Sequence, residues 1–219
     1  MKASHPSFRH IIWGWNGTLL NDKWLCIESI CTLLRARNLP AIDEDRYSRI
    51  FGFPVKDYYQ AAGFDFSVEP FEKPAMEFIR LYDSRKKECQ LHPGAVEILE
   101  QLSKMGCSQY LLSASETGIL TEMTGHFGIS GYFKMIKGLD NHYANGKGDL
   151  GMELLSAIHA PTESIVMIGD TSHDKEVADI LGVSSILYTK GHYPAFRLMD
   201  CGTPLINNLD ELVPLISGV

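Results

Sequence analysis

The chain has 219 residues, 45% hydrophobic and 21% charged, enough to bury a sizeable core as one domain or as a core domain carrying an insertion. A net charge of −7 argues against nucleic acid or an anionic membrane as the main partner, and no stretch approaches the roughly 18 apolar residues of a membrane span. Scattered histidines, the five cysteines Cys26, Cys31, Cys89, Cys107 and Cys201 without a C-x-x-C pair, and a Met1–His10 segment lacking an apolar signal region predict a reduced, zinc-free, cytoplasmic protein.

In chain order, the apolar run Ile11–Trp13 predicts a short buried strand that stops at Gly14, with a turn at Asn16-Gly17-Thr18. Leu19 to Asn38 reads as helical, with Leu25, Ile27, Ile30, Leu33 and Leu34 at helical spacing. Further helices are expected from Asp43 to Ile50, from Val55 to Ala62 and from Pro74 to Cys89, with Gly52-Phe53-Pro54 as a break. Residues 21 to 88 are thus all helical, whereas the remainder alternates strand and helix. That shift marks an inserted helical subdomain, 21–88, within a core made of 1–20 and 89–219.

The core resumes at Leu91-His92-Pro93-Gly94, ahead of an apolar helix that Gly106 ends. Tyr110–Leu112 reads as a second buried strand terminating in Ser113-Ala114-Ser115, followed by a helix from Gly118 to Phe127 and a weaker strand from Tyr132 to Ile136. Asn145-Gly146-Lys147-Gly148 reads as a loop before a helix from Leu150 to Ile158. Ser164–Ile168 is the clearest strand and runs into Gly169-Asp170-Thr171-Ser172-His173-Asp174; a helix from Glu176 to Leu181, a strand from Ser185 to Tyr188, Leu205-Ile206 and a helix from Leu209 to Ile216 complete the chain. Strands separated by helices predict a doubly wound parallel sheet, in which the carboxyl ends of the strands converge on one crevice. The polar groups at those ends, in the 14–18 turn, at Ser113, at Lys147, and at Asp170 and Asp174, are candidates to meet there.

Taken in order, these segments resemble the four motifs of the haloacid dehalogenase (HAD) superfamily. Gly14-Trp15-Asn16-Gly17-Thr18-Leu19 resembles its first motif, Asp-x-Asp-Gly-Thr-Leu; Ser113 the second, Lys147 the third, and Gly169-Asp170 through Asp174 the fourth. The resemblance implies a Rossmann-like α/β core with a helical cap and a phosphohydrolase of the phosphoglycolate-phosphatase-like branch acting on a small phosphorylated metabolite. Lys147 would supply a cation, Ser113 a hydroxyl donor, and Gly17, Thr18 and Ala114 further donors to the phosphoryl group. Asp170, Asp174 and the backbone carbonyl of Asn16 would hold Mg²⁺. Gly52-Phe53-Pro54 resembles the cap loop that faces substrate, and Phe53, Tyr58 and Tyr59 either line that pocket or pack within the cap.

Two positions depart from the family pattern. Gly14 stands where the aspartyl nucleophile is expected, so no covalent intermediate can form there and one metal ligand is missing. Losing a nucleophile costs roughly 10⁴–10⁶ in rate, so the chain as written is expected to be inactive or severely impaired. Asn16 stands at the acid/base position, where an amide cannot exchange a proton as a carboxyl does. That favours leaving groups needing little protonation, such as an acyl phosphate, a phosphoanhydride or a halide. Gly14 is either a single-nucleotide departure from a working enzyme or the mark of a non-catalytic phosphate-ligand binder. A small-haloacid dehalogenase is a further alternative, which Lys147, Ser113 and Asp170 fit less well than phosphate and metal.

Overall fold

The computed structural model describes residues 8–139 and 147–218. The chain begins with β1 (His10–Trp13) and β2 (Leu20–Asn21), then runs through four helices, α1 (Lys23–Arg35), α2 (Glu44–Ile50), α3 (Val55–Ala62) and α4 (Glu72–Arg85), to β3 (Gln90–Leu91). It continues with α5 (Ala95–Lys104), β4 (Ser108–Glu116), α6 (Thr117–His126), β5 (Phe133–Leu139), α7 (Lys147–Ile158), β6 (Ile165–Gly169) and α8 (Ser172–Leu181). The last elements are β7 (Ser184–Tyr188), α9 (Ala195–Leu198), β8 (Leu205–Ile206) and α10 (Leu212–Ser217). By Cα proximity the chain divides into two compact units, Met1–Leu20 with Leu91–Val219, and Asn21–Gln90.

The first unit is built on a six-stranded parallel sheet of order β5-β4-β1-β6-β7-β8. This is the doubly wound α/β core that alternating strands and helices predict. β1 lies at its centre because both of its faces are covered: Ile11, Ile12 and Trp13 have no exposed surface. The indole Nε1 of Trp13 donates to Gln109 Oε1 at 2.9 Å, and Gln109 Nε2 donates to the Leu99 carbonyl at 2.8 Å, so the polar atoms buried with the tryptophan are satisfied. On one face, Leu154, Val177 and Leu181 from α7 and α8 pack on Ile12, Leu112 and Met167. After β5 the chain crosses from one side of β1 to the other, so the carboxyl ends of β4, β1 and β6 flank the switch point where such sheets hold ligands.

Three elements differ from the sequence expectation in ways that matter to the site. The first helix starts at Lys23, not Leu19, because the 14–18 turn folds back on itself and Leu20–Asn21 is extended. β4 does not end at Leu112 but continues to Glu116, because β5 stays paired with it as far as Glu116↔Leu139; Ser113 and Ala114 therefore lie within a strand. The eighth helix begins at Ser172 rather than Glu176, since Thr171 and Asp174 close a capping box at its start. Lys147 is the first residue of α7, while Asn145 and Gly146 lie outside the described residues.

The close pairing of β4 and β5 depends on Gly138. A Cβ there would lie 2.3 Å from the Ser115 carbonyl oxygen and 2.8 Å from the Thr117 backbone nitrogen, neither of which can turn away. Gly138→Ala is expected to lower the unfolding free energy by about 1–3 kcal/mol, read from the midpoint of urea unfolding. An unchanged midpoint would mean that β5 shifts at no cost.

The second unit is helical with its own core. Ile30 and Leu34 of α1, Tyr47 of α2, Tyr58, Tyr59 and Ala62 of α3, and Phe64 form one buried cluster. Tyr58 and Tyr59 stack edge to face within it, so they belong to this unit's interior. Arg37 binds Glu69, donates to Glu77 Oε2 at 2.9 Å, and lies over the Phe64 ring. Gly52-Phe53-Pro54 forms the turn between α2 and α3 and leaves Phe53 exposed. Among the described residues no helix is long and apolar enough to cross a membrane.

Candidate active site

The turn after β1 is the first component. The Gly14 N–H donates to the Ile168 carbonyl at 2.8 Å, which ties the end of β1 to the end of β6. The Trp15 carbonyl then accepts from the N–H groups of Thr18 (3.2 Å), Leu19 and Leu20 (both 3.0 Å), while the Gly17 N–H donates to Leu20 O at 2.9 Å. The turn therefore consumes the backbone donors of Gly17 and Thr18 internally. In the structure these two groups, expected from the sequence as phosphate donors, are engaged on the turn's own carbonyls.

Asp170, the residue after β6, is the second. Its carboxyl is buried, with Oδ1 accepting from the Thr18 hydroxyl at 2.8 Å and Oδ2 from the His192 N–H at 2.7 Å. Two glycines permit this enclosure. A Cβ at Gly17, whose φ is +72°, would stand 2.2 Å from Asp170 Oδ2, and one at Gly191 would stand 2.3 Å from the same atom. Burial pushes the Asp170 carboxyl up to about 6; the neighbouring Asp174 charge acts in the same sense, and His192 and the Thr18 hydroxyl oppose it.

Asp174 is the third. Its Oδ2 accepts from the backbone N–H of Asp170 (3.0 Å) and of Thr171 (2.9 Å) and from the Thr171 hydroxyl (2.8 Å). Its Oδ1 accepts from Lys147 Nζ at 2.5 Å, and both side chains of this ion pair are less than a tenth exposed. Burial alone would raise the Asp174 carboxyl, but the Lys147 charge and the Thr171 bonds outweigh it and hold the group low. With Lys147 and three further donors on its two oxygens, Asp174 anchors Lys147 and caps α8.

The fourth component is the carboxyl-terminal part of β4. Ser113 is buried, Ala114 is exposed, and Ser115 donates its hydroxyl to Asn16 Oδ1 at 2.8 Å. Sequence reasoning did not single out Ser115 or the Gly191-His192 loop. The signal for Ser115 is its place in the polar run Ser113-Ala114-Ser115 that follows the apolar Tyr110–Leu112. That for the loop is Gly191, three residues after the end of the apolar run Ile186–Tyr188.

Gly14 itself is tightly enclosed. A Cβ at this position would lie 2.8 Å from Thr18 Oγ1 and 3.4 Å from the Ile168 carbonyl. The Thr18 hydroxyl thus occupies the place into which a side chain at 14 would project. As a cation site the group has one buried carboxylate, Asp170, each of whose oxygens accepts one hydrogen bond. A buried carboxylate held near 6 by desolvation is an anion that a cation would relieve. This set fits a Mg²⁺ that completes its shell with water and ligand oxygens, with no contribution from Gly14.

Residues 11–188 match the family described as haloacid dehalogenase-like hydrolase. A phosphoglycolate phosphatase of Rhodobacter capsulatus is 22% identical over 83% of this chain and 84% of its own length. A 5'-nucleotidase of Pseudomonas aeruginosa is 27% identical over 85% of each. The tyrosine-protein kinase PtkA of Mycobacterium tuberculosis is 24% identical over 96% of this chain and 74% of its own. Its solved structure superposes with a TM-score of 0.81, covering 96% of this chain and 98% of that one at 23% identity. The haloacid dehalogenase-like protein SP0104 of Streptococcus pneumoniae gives the same TM-score, covering 94% of this chain and 97% of that one at 20% identity.

Proposed function

Because the chain belongs to the haloacid dehalogenase-like hydrolase family, we propose that its crevice binds a small phosphorylated metabolite on a phosphatase core without turning it over at an enzymatic rate. The relatives named phosphoglycolate phosphatase, 5'-nucleotidase and tyrosine-protein kinase share one chemical object, a phosphoryl group. The observation that carries the proposal is the coexistence of Gly14 with a retained Thr18–Asp170–Asp174–Lys147 cluster. Lys147 and the Ser113 hydroxyl are there to receive an anion, and the attacking group is not.

In this reading Lys147, fixed by Asp174, provides the positive charge and Ser113 a hydroxyl donor to the phosphoryl oxygens. Asp170 and the Asn16 carbonyl would hold Mg²⁺, whose chemistry is to neutralise phosphoryl charge. With Gly14 in place of a carboxylate no aspartyl intermediate can form, and Asn16 can donate a hydrogen bond but no proton. The Thr18 hydroxyl packed where a side chain at 14 would project supports a site organised around glycine. Five free cysteines are in keeping with a cytoplasmic setting.

Calorimetric titration with inorganic phosphate or orthovanadate in Mg²⁺ tests the proposal. Saturable binding below about 10 mM is expected, together with no phosphate release from p-nitrophenyl phosphate or acetyl phosphate and no halide release from chloroacetate. Absence of any anion binding would remove the proposal, and so would hydrolysis at an ordinary phosphatase rate.

A further inference from the structure

We propose that Ser115 is a positioning residue that orients two hydrogen-bond donors, Ser113 and Asn16, toward the bound anion. This rests on the reading of the crevice as a phosphate site. Ser115 reaches both groups through different atoms: its backbone N–H donates to Ser113 Oγ at 3.0 Å and its hydroxyl donates to Asn16 Oδ1 at 2.8 Å. In each case Ser115 fills an acceptor. The Ser113 oxygen, accepting from the N–H, keeps its own hydrogen to donate, and the Asn16 amide has its oxygen branch fixed on Ser115 with the two hydrogens of Nδ2 on the other branch.

For an anion the direction of that amide decides the sign of the interaction. A primary amide turned one way offers hydrogens to a phosphoryl oxygen; turned the other way it sets a lone pair against it. Ser115 selects the first. The selection depends on the irregular end of β4: its pairing with β5 slips between Leu112 and Glu116, and within that stretch the Ser115 N–H turns back onto the Ser113 hydroxyl. It is also needed here, because the Gly17 and Thr18 N–H groups are tied up in their own turn and cannot serve the anion. Asn16, which cannot act as an acid, thereby becomes a fixed donor. The ligand it suits presents an unprotonated oxygen at that point, as a phosphate dianion, an acyl phosphate or a phosphoanhydride does.

Ser115→Ala removes the hydroxyl and leaves the backbone N–H on Ser113, so it isolates the bond to Asn16. Phosphate affinity, measured by calorimetry in Mg²⁺ on the full chain, is expected to fall about tenfold. Ser115→Thr, which keeps the hydroxyl, is expected to retain it. In an Asn16→Ala background the same Ser115→Ala change is expected to alter affinity less than about twofold, a coupling that a purely structural role would not produce. In the unsubstituted chain, the side-chain amide cross-peaks of Asn16, identified by their loss in Asn16→Ala, are expected to move on addition of phosphate. If the unsubstituted chain binds no phosphate, the phosphate reading itself fails, and this inference with it. If phosphate binds but Ser115→Ala binds as tightly, or loses as much in the Asn16→Ala background, or the amide cross-peaks stay fixed, the positioning role alone is overturned.

Discussion

Gly14→Asp is expected to create a Mg²⁺-dependent phosphatase from a chain expected to have little or no turnover. Release of phosphate from acetyl phosphate should rise by roughly 10²–10⁴. The roughly 10⁴–10⁶ typical of a restored nucleophile is out of reach beyond its lower edge because Asn16 cannot protonate the leaving oxygen. Acetyl phosphate should respond more than an alkyl phosphate for the same reason.

The new side chain also has a local cost. Its Cβ would meet Thr18 Oγ1 at 2.8 Å, so Thr18 must change rotamer and release Asp170 Oδ1. Losing that buried hydrogen bond costs about 1 kcal/mol, a modest fall in melting temperature beside the gain in rate. Adding Asn16→Asp should raise the rate by a further ~10², since the Ser115 hydroxyl can donate to a carboxylate as well as to an amide. A Gly14→Asp protein that folds, binds phosphate and still releases none would show that more than the nucleophile has been lost.

The second large effect is on stability. Asp174→Ala strips four hydrogen bonds from one buried carboxylate and strands the Lys147 ammonium, whose side chain is only 9% exposed. Breaking a buried pair from one side costs about 3–5 kcal/mol, which for a chain of this size corresponds to a fall of roughly 6–20 °C in Tm. Replacing both partners with Asp174→Leu and Lys147→Met should recover part of the loss, because no unpaired charge is then left inside. Thermal unfolding followed by circular dichroism distinguishes the outcomes; a loss below about 1 kcal/mol would mean that Lys147 finds solvent when its partner is removed.

Much of this was legible in the residues. Ile11–Trp13 and Ile165–Ile168 are unbroken apolar runs because a central parallel strand is buried on both faces. Their ends show as Gly14 and Gly169-Asp170, since a buried strand must stop where the chain turns to solvent or ligand. The helical stretch was equally visible, as apolar residues at helical spacing with Asp43 ahead of its second helix, where the carboxylate caps the Arg46 N–H at 2.8 Å. The roles of individual polar groups were less visible. The sequence points to Asp174 at a metal and to Gly17 and Thr18 at a phosphate; it does not show that Asp174 binds Lys147 and Thr171, or that the Gly17 and Thr18 N–H groups meet carbonyls of their own turn. Spacing gives the order in which groups arrive at a crevice, but not which of several acceptors lies within 3 Å of a donor.

The division follows from the range of the forces. Strand, helix and the absence of a nucleophile at 14 are properties of short segments: a repeat of two or 3.6 residues and the lack of a side chain can be read one stretch at a time. The extension of β4 to Glu116, the pairing of Lys147 with Asp174 across 27 positions and the bond from Ser115 to Asn16 across 99 exist only once distant segments pack. Hydrogen bonds and buried ion pairs are decided over a few tenths of an ångström, a resolution that only the folded chain supplies.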